Sequence, residues 1–465
     1  DSIRKKKEVN AIEKRDLTTG GVYRNLFAMS IPTALGFLGQ TIYDVVDMIW
    51  IGRVSSAAVA GITIFVIVFW TVEVLNEIIG ISSVSLISQS FGAKDYERTR
   101  RVIEQTLTFK ALMALLAMIF LLIFLKPLLG FLTQDEEVLK HALDYGFIRL
   151  FFLPMMFSSY TVNTALRCVG DAKSPMMIML FVSILNAVLD PIFIFERVPG
   201  TSLPGLNLGV FGAGLATVIS ISIAFAIGFY LLYSGKRGIK ISLRGLLKLD
   251  WSIDYRLLTI GLPTGFEMLI QKASWYLAMK VIAAFGTVAV ATIGIGNRFT
   301  SLLGMPLIGL YVGSTAIVGQ NLGANRITTA RETVKAGVVV GAIFVAIAAG
   351  LAFSFPEGIM RIFIDDPAVV NLGIAMVRIL APGVLFLAVF YGIAAAFGGS
   401  GYMKPFITAS VISRCCVLLP LLAIFAFLLN WPVETIWVTL VLTDAASALV
   451  MFFAYCQRKW ESKRV

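Results

Sequence analysis

The sequence predicts an all-α integral membrane protein, with twelve transmembrane helices in two six-helix lobes related by a pseudo-twofold axis along the membrane normal. Three observations carry this expectation. Of 465 residues, 58% are hydrophobic and only 14% are charged, and the mean hydropathy is +0.86, which leaves too little polar surface for a water-soluble chain of this length. Apolar runs of about twenty residues, the length that crosses a bilayer core, recur from one end to the other. The sequence also superposes on itself, Pro32 falling on Pro263 and Gln89 on Gln320.

Taken in order, the apolar runs place spans near 28–52, 60–88, 104–130, 139–164, 175–195, 209–234, 257–285, 288–318, 336–355, 370–398, 406–428 and 433–456. Several exceed the minimum, so tilt or protrusion is expected. Basic residues collect before the first span (Arg4, Lys5, Lys6, Lys7, Lys14, Arg15) and in AKDYERTRR, GKRGIKISLRGLLK, the turn around Arg326 and Arg331, and RKWESKR. If the spans alternate, all of these lie on one side, which the positive-inside rule makes the cytoplasm. The opposite loops carry TQDEE (133–137), IDDP (364–367) and NWPVET (430–435). The domain reading follows: a basic cytoplasmic tail (1–27), an N-terminal lobe (28–234), a cytoplasmic linker (235–256), a C-terminal lobe (257–456) and a second tail (457–465). The expected location is the inner (plasma) membrane, multi-pass, with both termini cytoplasmic.

The net charge of +11 then reflects orientation and headgroup contact. It is spread over short loops with no domain to form a groove, so nucleic acid is not an expected partner. The four cysteines suggest neither a disulfide framework nor a metal site. No cofactor or obligate protein partner is implied. The expected partners are the lipid bilayer and small organic substrates, cationic ones foremost.

The repeat is specific. One register sets IPTALGFLGQ over LPTGFEMLIQ and ISQSFGAKD over VGQNLGANR. Six spans per repeat return the chain to the same side, so both halves share an orientation, the arrangement of transporters built from parallel repeats.

Two carboxylates, Asp44 and Asp47 of TIYDVVDMIWIG, sit inside the first span, where an acid costs roughly 2.5–3.5 kcal/mol. The repeat sets them over Trp275 and Ala278, and sets Asp190 over Leu421, so these acids belong to the N-terminal half alone. Counting from the outer ends puts Asp47 about five residues, or about 8 Å, down and Asp190 about as deep. Tyr145 and Thr217 fall in the same layer. Gln40, Asp44 and Asp47 share a helical face, as do Asn186 and Asp190. A small cavity of carboxylates, amide, hydroxyl and phenol suits a bare monovalent cation or a proton.

The segments IPTALGFLGQTIYDVVDMIWIGRV, LISQSFGA, IVGQNLGA, ALRCVGDAKSP and LNAVLDPIFIF, in this order and spacing, resemble the multidrug and toxic compound extrusion (MATE) family over nearly the whole chain, and its prokaryotic branch most closely. The resemblance implies a secondary antiporter that expels cationic or amphiphilic organic compounds in exchange for Na⁺ or H⁺ by alternating access. It implies that Asp47, Asp190, Asn186 and Thr217 form the cation site, Na⁺ or a proton being the coupling ion, with Tyr145 nearby and Pro32 letting the first helix bend. Asp44 stands where the family more often has an amide, as a second proton acceptor or a hydrogen-bonded structural acid.

The remaining intramembrane charges, Glu73, Glu77, Glu267, Lys272, Arg298 and Arg414, either pair inside the bundle or line a substrate cavity. Glu267, about ten residues from the inner face, is the expected substrate wall of the C-terminal lobe, with Glu73, Glu77 and Arg298 as further candidates. Two other functions are compatible with a polytopic membrane chain. An integral-membrane enzyme would need a catalytic cluster, and the loops hold no zinc motif and no phosphate loop. A lipid-linked oligosaccharide flippase of the same broad superfamily would show a strongly cationic central cavity.

Overall fold

The computed structural model describes residues 16–429 and 431–465. The basic residues Arg4, Lys5, Lys6, Lys7, Lys14 and Arg15, and Asn430 at the start of the last outer loop, lie outside them. The chain is helical: α1 Val22–Gly52, α2 Ser56–Gly92, α3 Tyr96–Leu132, α4 Glu136–Phe151, α5 Leu153–Cys168, α6 Lys173–Ile194, α7 Gly209–Tyr233, α8 Leu243–Leu246, α9 Trp251–Ala283, α10 Thr287–Gly323, α11 Ile327–Ser354, α12 Pro356–Phe363, α13 Pro367–Ser400, α14 Lys404–Ser410, α15 Leu419–Ala423, α16 Glu434–Cys456 and α17 Lys459–Ser462. Short polar caps set several starts. Ser55 Oγ accepts from Ala58 N at 3.0 Å, and Asp95 Oδ1 accepts from Arg98 N at 3.0 Å.

Among the described residues ten helices are long and apolar enough to cross a membrane, where twelve spans were expected. The run 139–164 is two helices of 16 residues each, not one. Pro154 has no N–H to give the Leu150 carbonyl, and Phe152 N turns to Leu150 O instead. The run 257–285 lies in α9, 33 residues long but carrying Asp254, Arg256, Glu267, Lys272 and Lys280, and so less apolar than the ten. The run 406–428 is one of the ten, as Lys404–Ala426, but is interrupted by π-helical turns at Val411–Leu418 and Ile424–Leu428, where Leu419 N donates to Arg414 O and Leu429 N to Ile424 O. Pro420, which cannot donate to Cys416 O, lies between them.

The internal repeat is present in the backbone. A shift of 231 residues carries Ser56–Gly92 onto Thr287–Gly323 and the start of α3, Tyr96, onto that of α11, Ile327. The turns between these helices match bond for bond. Ala93 N donates to Gln89 O at 2.9 Å and Asp95 N to Ser90 O at 3.0 Å, while Ala324 N donates to Gln320 O at 2.9 Å and Arg326 N to Asn321 O at 2.8 Å. Lys94 (φ 61°) and Asn325 (φ 58°) take the left-handed conformation that this turn requires.

The fold divides into two compact units. One comprises Leu35–Leu258 and is centred on Phe65, Leu125, Leu150 and Phe157, all fully buried. The other comprises Leu17–Ala34 and Thr259–Val465 and is centred on Ile282, Val345, Met376 and Trp437. The first part of α1 thus packs with the second unit. There Leu17 N donates to Gln320 Oε1 at 3.0 Å, and Arg326 Nη1 donates to Thr18 O at 2.6 Å.

In the first unit the segment after α7 is tied to α3. Ser242 N donates to Glu104 Oε1 at 2.6 Å, Asp250 N donates to Gln105 Oε1 at 2.9 Å, and Thr108 Oγ1 donates to Leu246 O at 2.7 Å. Glu104 is buried and so hard to replace by water. The double variant Glu104→Ala/Gln105→Ala is expected to be cut faster by trypsin after Lys240, Arg244 and Lys248, without loss of the membrane-embedded fold. Unchanged cleavage there, read by mass spectrometry, would mean these bonds do not hold the segment.

Candidate cation site

In the first unit α1, α4, α6 and α7 bring five of the expected residues together. Asp47 is 6% exposed, Tyr145 2%, and Asn186, Asp190 and Thr217 0%. The helical period puts Asn186 one turn before Asp190, and Asn186 Nδ2 donates to Asp190 Oδ1 at 3.2 Å. Tyr145 Oη donates to Asp47 Oδ2 at 3.4 Å. On α7, Thr217 Oγ1 donates to Ala213 O at 3.0 Å and accepts from Tyr43 Oη at 3.3 Å. Asp47 and Asp190 lie within electrostatic reach of each other.

Three buried oxygens in this cluster have no hydrogen-bond partner: Asp47 Oδ1, Asp190 Oδ2 and Asn186 Oδ1. A buried polar oxygen left unpartnered costs about 1–3 kcal/mol, and more if it is charged. The nearest countercharge is Arg149, one turn along α4 from Tyr145. Its Nη1 donates to Tyr145 Oη at 2.9 Å, and its guanidinium lies 5.1 Å over the Phe69 ring. With Asp47 and Asp190 ionised, Arg149 balances one charge and leaves one negative charge over, and an ionised Asp44, within reach of Asp47 and Arg149, adds a second. The donor set is hard oxygen from two carboxylates, an amide and a hydroxyl, which fits Na⁺ or a single proton shared by the acids.

The other expected residues fall elsewhere. Asp44 is more exposed than the cluster but lies within electrostatic reach of Asp47 and Arg149, while Gln40, half-buried, hydrogen-bonds with Tyr160. Pro32 is buried within the continuous helix α1 and leaves the Ala28 carbonyl without its donor. Glu73 accepts from Asn76 Nδ2 at 3.1 Å, and Glu77 lies within electrostatic reach of Lys110 and Arg167. In the second unit Glu267 lies within electrostatic reach of Arg414, and Arg298 is exposed. Cys168 is buried, Cys415, Cys416 and Cys456 are exposed, and all four are free thiols.

Tyr43, Lys110, Arg149 and Asp444 escaped the sequence reading. The signal was there for three of them, each a lone charge inside an apolar run (LTFKALM, FIRLFF, VLTDAAS). Arg149 was further marked by its i, i+4 spacing from Tyr145.

The MatE family profile matches residues 32–192 and 263–425, two segments that begin at the prolines paired by the internal repeat. The chain belongs to the MatE family of multidrug and toxic compound extrusion transporters. It is accordingly a multi-pass membrane transporter and not an enzyme. Among MatE relatives it is 25% identical over 447 residues to the "Probable multidrug resistance protein YoeA" of Bacillus subtilis, covering 96% of this chain and 95% of that one. It is 25% identical over 445 residues to the "Multidrug export protein MepA" of Staphylococcus haemolyticus, covering 94% of each. The fold is that of a solved structure described as the outward-facing conformation of a multidrug resistance MATE family transporter of the MOP superfamily. There the TM-score is 0.85 at 23% identity, over 95% of this chain and 97% of that one.

Proposed function

We propose that this MatE chain is a secondary antiporter of the plasma membrane that exports cationic or amphiphilic organic compounds in exchange for Na⁺ or H⁺. In this reading Asp47, Asp190, Asn186 and Thr217 hold the coupling ion. Tyr145 positions Asp47, Tyr43 positions Thr217, and Asp44 and Gln40 form a more accessible polar approach to the site. The observation that carries the reading is the set of three unpartnered buried oxygens on residues whose acids outnumber the one nearby guanidinium, an arrangement that a monovalent cation or a proton completes. The names of the relatives support the substrate class.

Residues 28–234 and 257–456 act as the two lobes, joined by the cytoplasmic linker 235–256, with both termini cytoplasmic. Pro32 lies two residues before the point where α1 passes from one compact unit to the other, and the helical ladder lacks a bond there. Occupation of Asp47 can therefore bias α1 at Pro32, so that ion binding and export of the organic compound alternate.

The test is transport of a fluorescent organic cation in proteoliposomes under a Na⁺ gradient and, separately, a pH gradient. One gradient alone should drive uptake, and it identifies the ion. No response to either gradient would overturn the ion-coupled reading.

A further inference from the structure

The segment that joins α7 to α9 is fastened to the first unit through its polar groups and turns its leucines outward. Near its start Arg237 Nε lies 3.4 Å from Asp171 Oδ2. Further on, Glu104 holds Ser242 N, Thr108 holds Leu246 O, and Gln105 holds both Lys248 O and Asp250 N. With its backbone fixed in this way, the segment leaves Leu243, Leu247, Leu249 and Trp251 at 56%, 86%, 63% and 69% exposure. Apolar side chains this open are costly in water.

The same bonds set a depth. α3 becomes predominantly apolar from Leu107 onward, and Leu246 is bonded at Thr108, one turn beyond Glu104. The segment therefore dips to the border of the apolar layer at Leu246 and comes back to Gln105 by Lys248. Aromatic side chains mark the same border: Tyr230 and Tyr233 end α7, Trp251 and Tyr255 begin α9, and all four are exposed. Lys236 Nζ lies 5.3 Å over the Tyr230 ring.

Charge decides what covers this face. Lys236, Lys240, Arg244 and Lys248 are exposed and recur every four residues between the leucines, and the only acid from Lys236 to Trp251 is the half-buried Asp250. The core of a protein interface is depleted in lysine, so a protein partner fits poorly. A bilayer surface with acidic headgroups takes the leucines and the cations together.

We propose that residues 240–251 form an in-plane anchor: Leu243, Leu247, Leu249 and Trp251 insert into the leaflet they face, and Lys240, Arg244 and Lys248 bind the headgroups of anionic phospholipids. Zwitterionic lipid offers the leucines the same apolar contact but offers the cations no net charge. The anchor therefore selects acidic lipid, by about fivefold for each cation close to the surface.

A polarity-sensitive bimane label at Leu247→Cys tests this, in the full-length chain carrying Cys415→Ser, Cys416→Ser and Cys456→Ser so that the exposed thiols do not react. The labelled protein is placed in nanodiscs of phosphatidylcholine alone and of phosphatidylcholine with phosphatidylglycerol, and the neutral quencher acrylamide is added. Quenching should be weaker by about fivefold or more in the acidic discs. The triple variant Lys240→Gln/Arg244→Gln/Lys248→Gln should abolish that difference. An equal loss of charge at exposed sites elsewhere, Lys335→Gln/Arg458→Gln/Lys459→Gln, should leave it intact and so separates local contact from net charge. Strong quenching in both kinds of disc leaves the segment in water and overturns the anchor. Weak quenching in both, or a difference that survives in the first triple variant, overturns the selection of acidic lipid. Quenching in detergent that weakens as protein concentration rises assigns the face to a second copy of the chain, which overturns the anchor as well.

Discussion

Asp47→Asn and Asp190→Asn are each expected to abolish ion-driven export while the protein still inserts and folds. Both carboxylates are buried, each has an oxygen that no protein donor satisfies, and Arg149 compensates only one of the two charges. Asparagine keeps the volume but removes the charge that attracts the ion, so the driven rate should fall by more than about tenfold. Folding should survive or improve, because a buried charge is itself a cost. Asp44 is exposed, so Asp44→Asn should change the pH dependence of transport more than its maximal rate. The measurement is uptake into proteoliposomes under the gradient that drives the wild type. Wild-type rates in both Asp47→Asn and Asp190→Asn would place the coupling ion elsewhere, with Glu73, Glu77 and Glu267 the next carboxylates to try.

Gly309→Leu and Gly313→Val should each destabilise the second unit strongly. Gly309 and Gly313 form a G-x-x-x-G step on α10, and facing it on α1 are Ala34 and Ser30, small residues at the same spacing. A Cβ on Gly309 would stand 2.5 Å from Ala34 Cβ and 2.8 Å from Ala34 N. One on Gly313 would stand 2.6 Å from Ser30 Oγ and 2.9 Å from Ser30 N. The obstructing atoms are largely backbone, which cannot rotate away, so the helices must separate. In lipid there is no hydrophobic gain to offset this, since helix association rests on close packing. A loss of about 1–3 kcal/mol or more is expected, seen as a lower midpoint of thermal unfolding in detergent. Gly350, on α11, has nothing within 4 Å of an added Cβ, and Gly350→Ala serves as the tolerated control. Equal midpoints for Gly309→Leu and Gly350→Ala would mean that α1 does not pack through this step.

The amino-acid sequence by itself determined the class of this protein, the approximate place of most of its membrane helices, the repeat and the carboxylates of the first unit's acid cluster. Each of these rests on short-range regularities. Apolar length sets a membrane helix, and a helical period of 3.6 puts Asn186 beside Asp190. The shared register of Pro32 with Pro263 and of Gln89 with Gln320 carried the repeat. Tertiary structure alone decided what packing and proline strain decide. The break at Pro154 and the π-helical turns around Pro420 depend on how neighbouring helices absorb a missing donor, which no local pattern encodes. The passage of α1 between two compact units depends on where small residues on distant helices meet, Ser30 and Ala34 with Gly313 and Gly309. The charge balance around Arg149, bonded to Tyr145, and around Arg414, within electrostatic reach of Glu267 and Asp444, joins residues far apart in the chain, and only the folded arrangement brings those charges together.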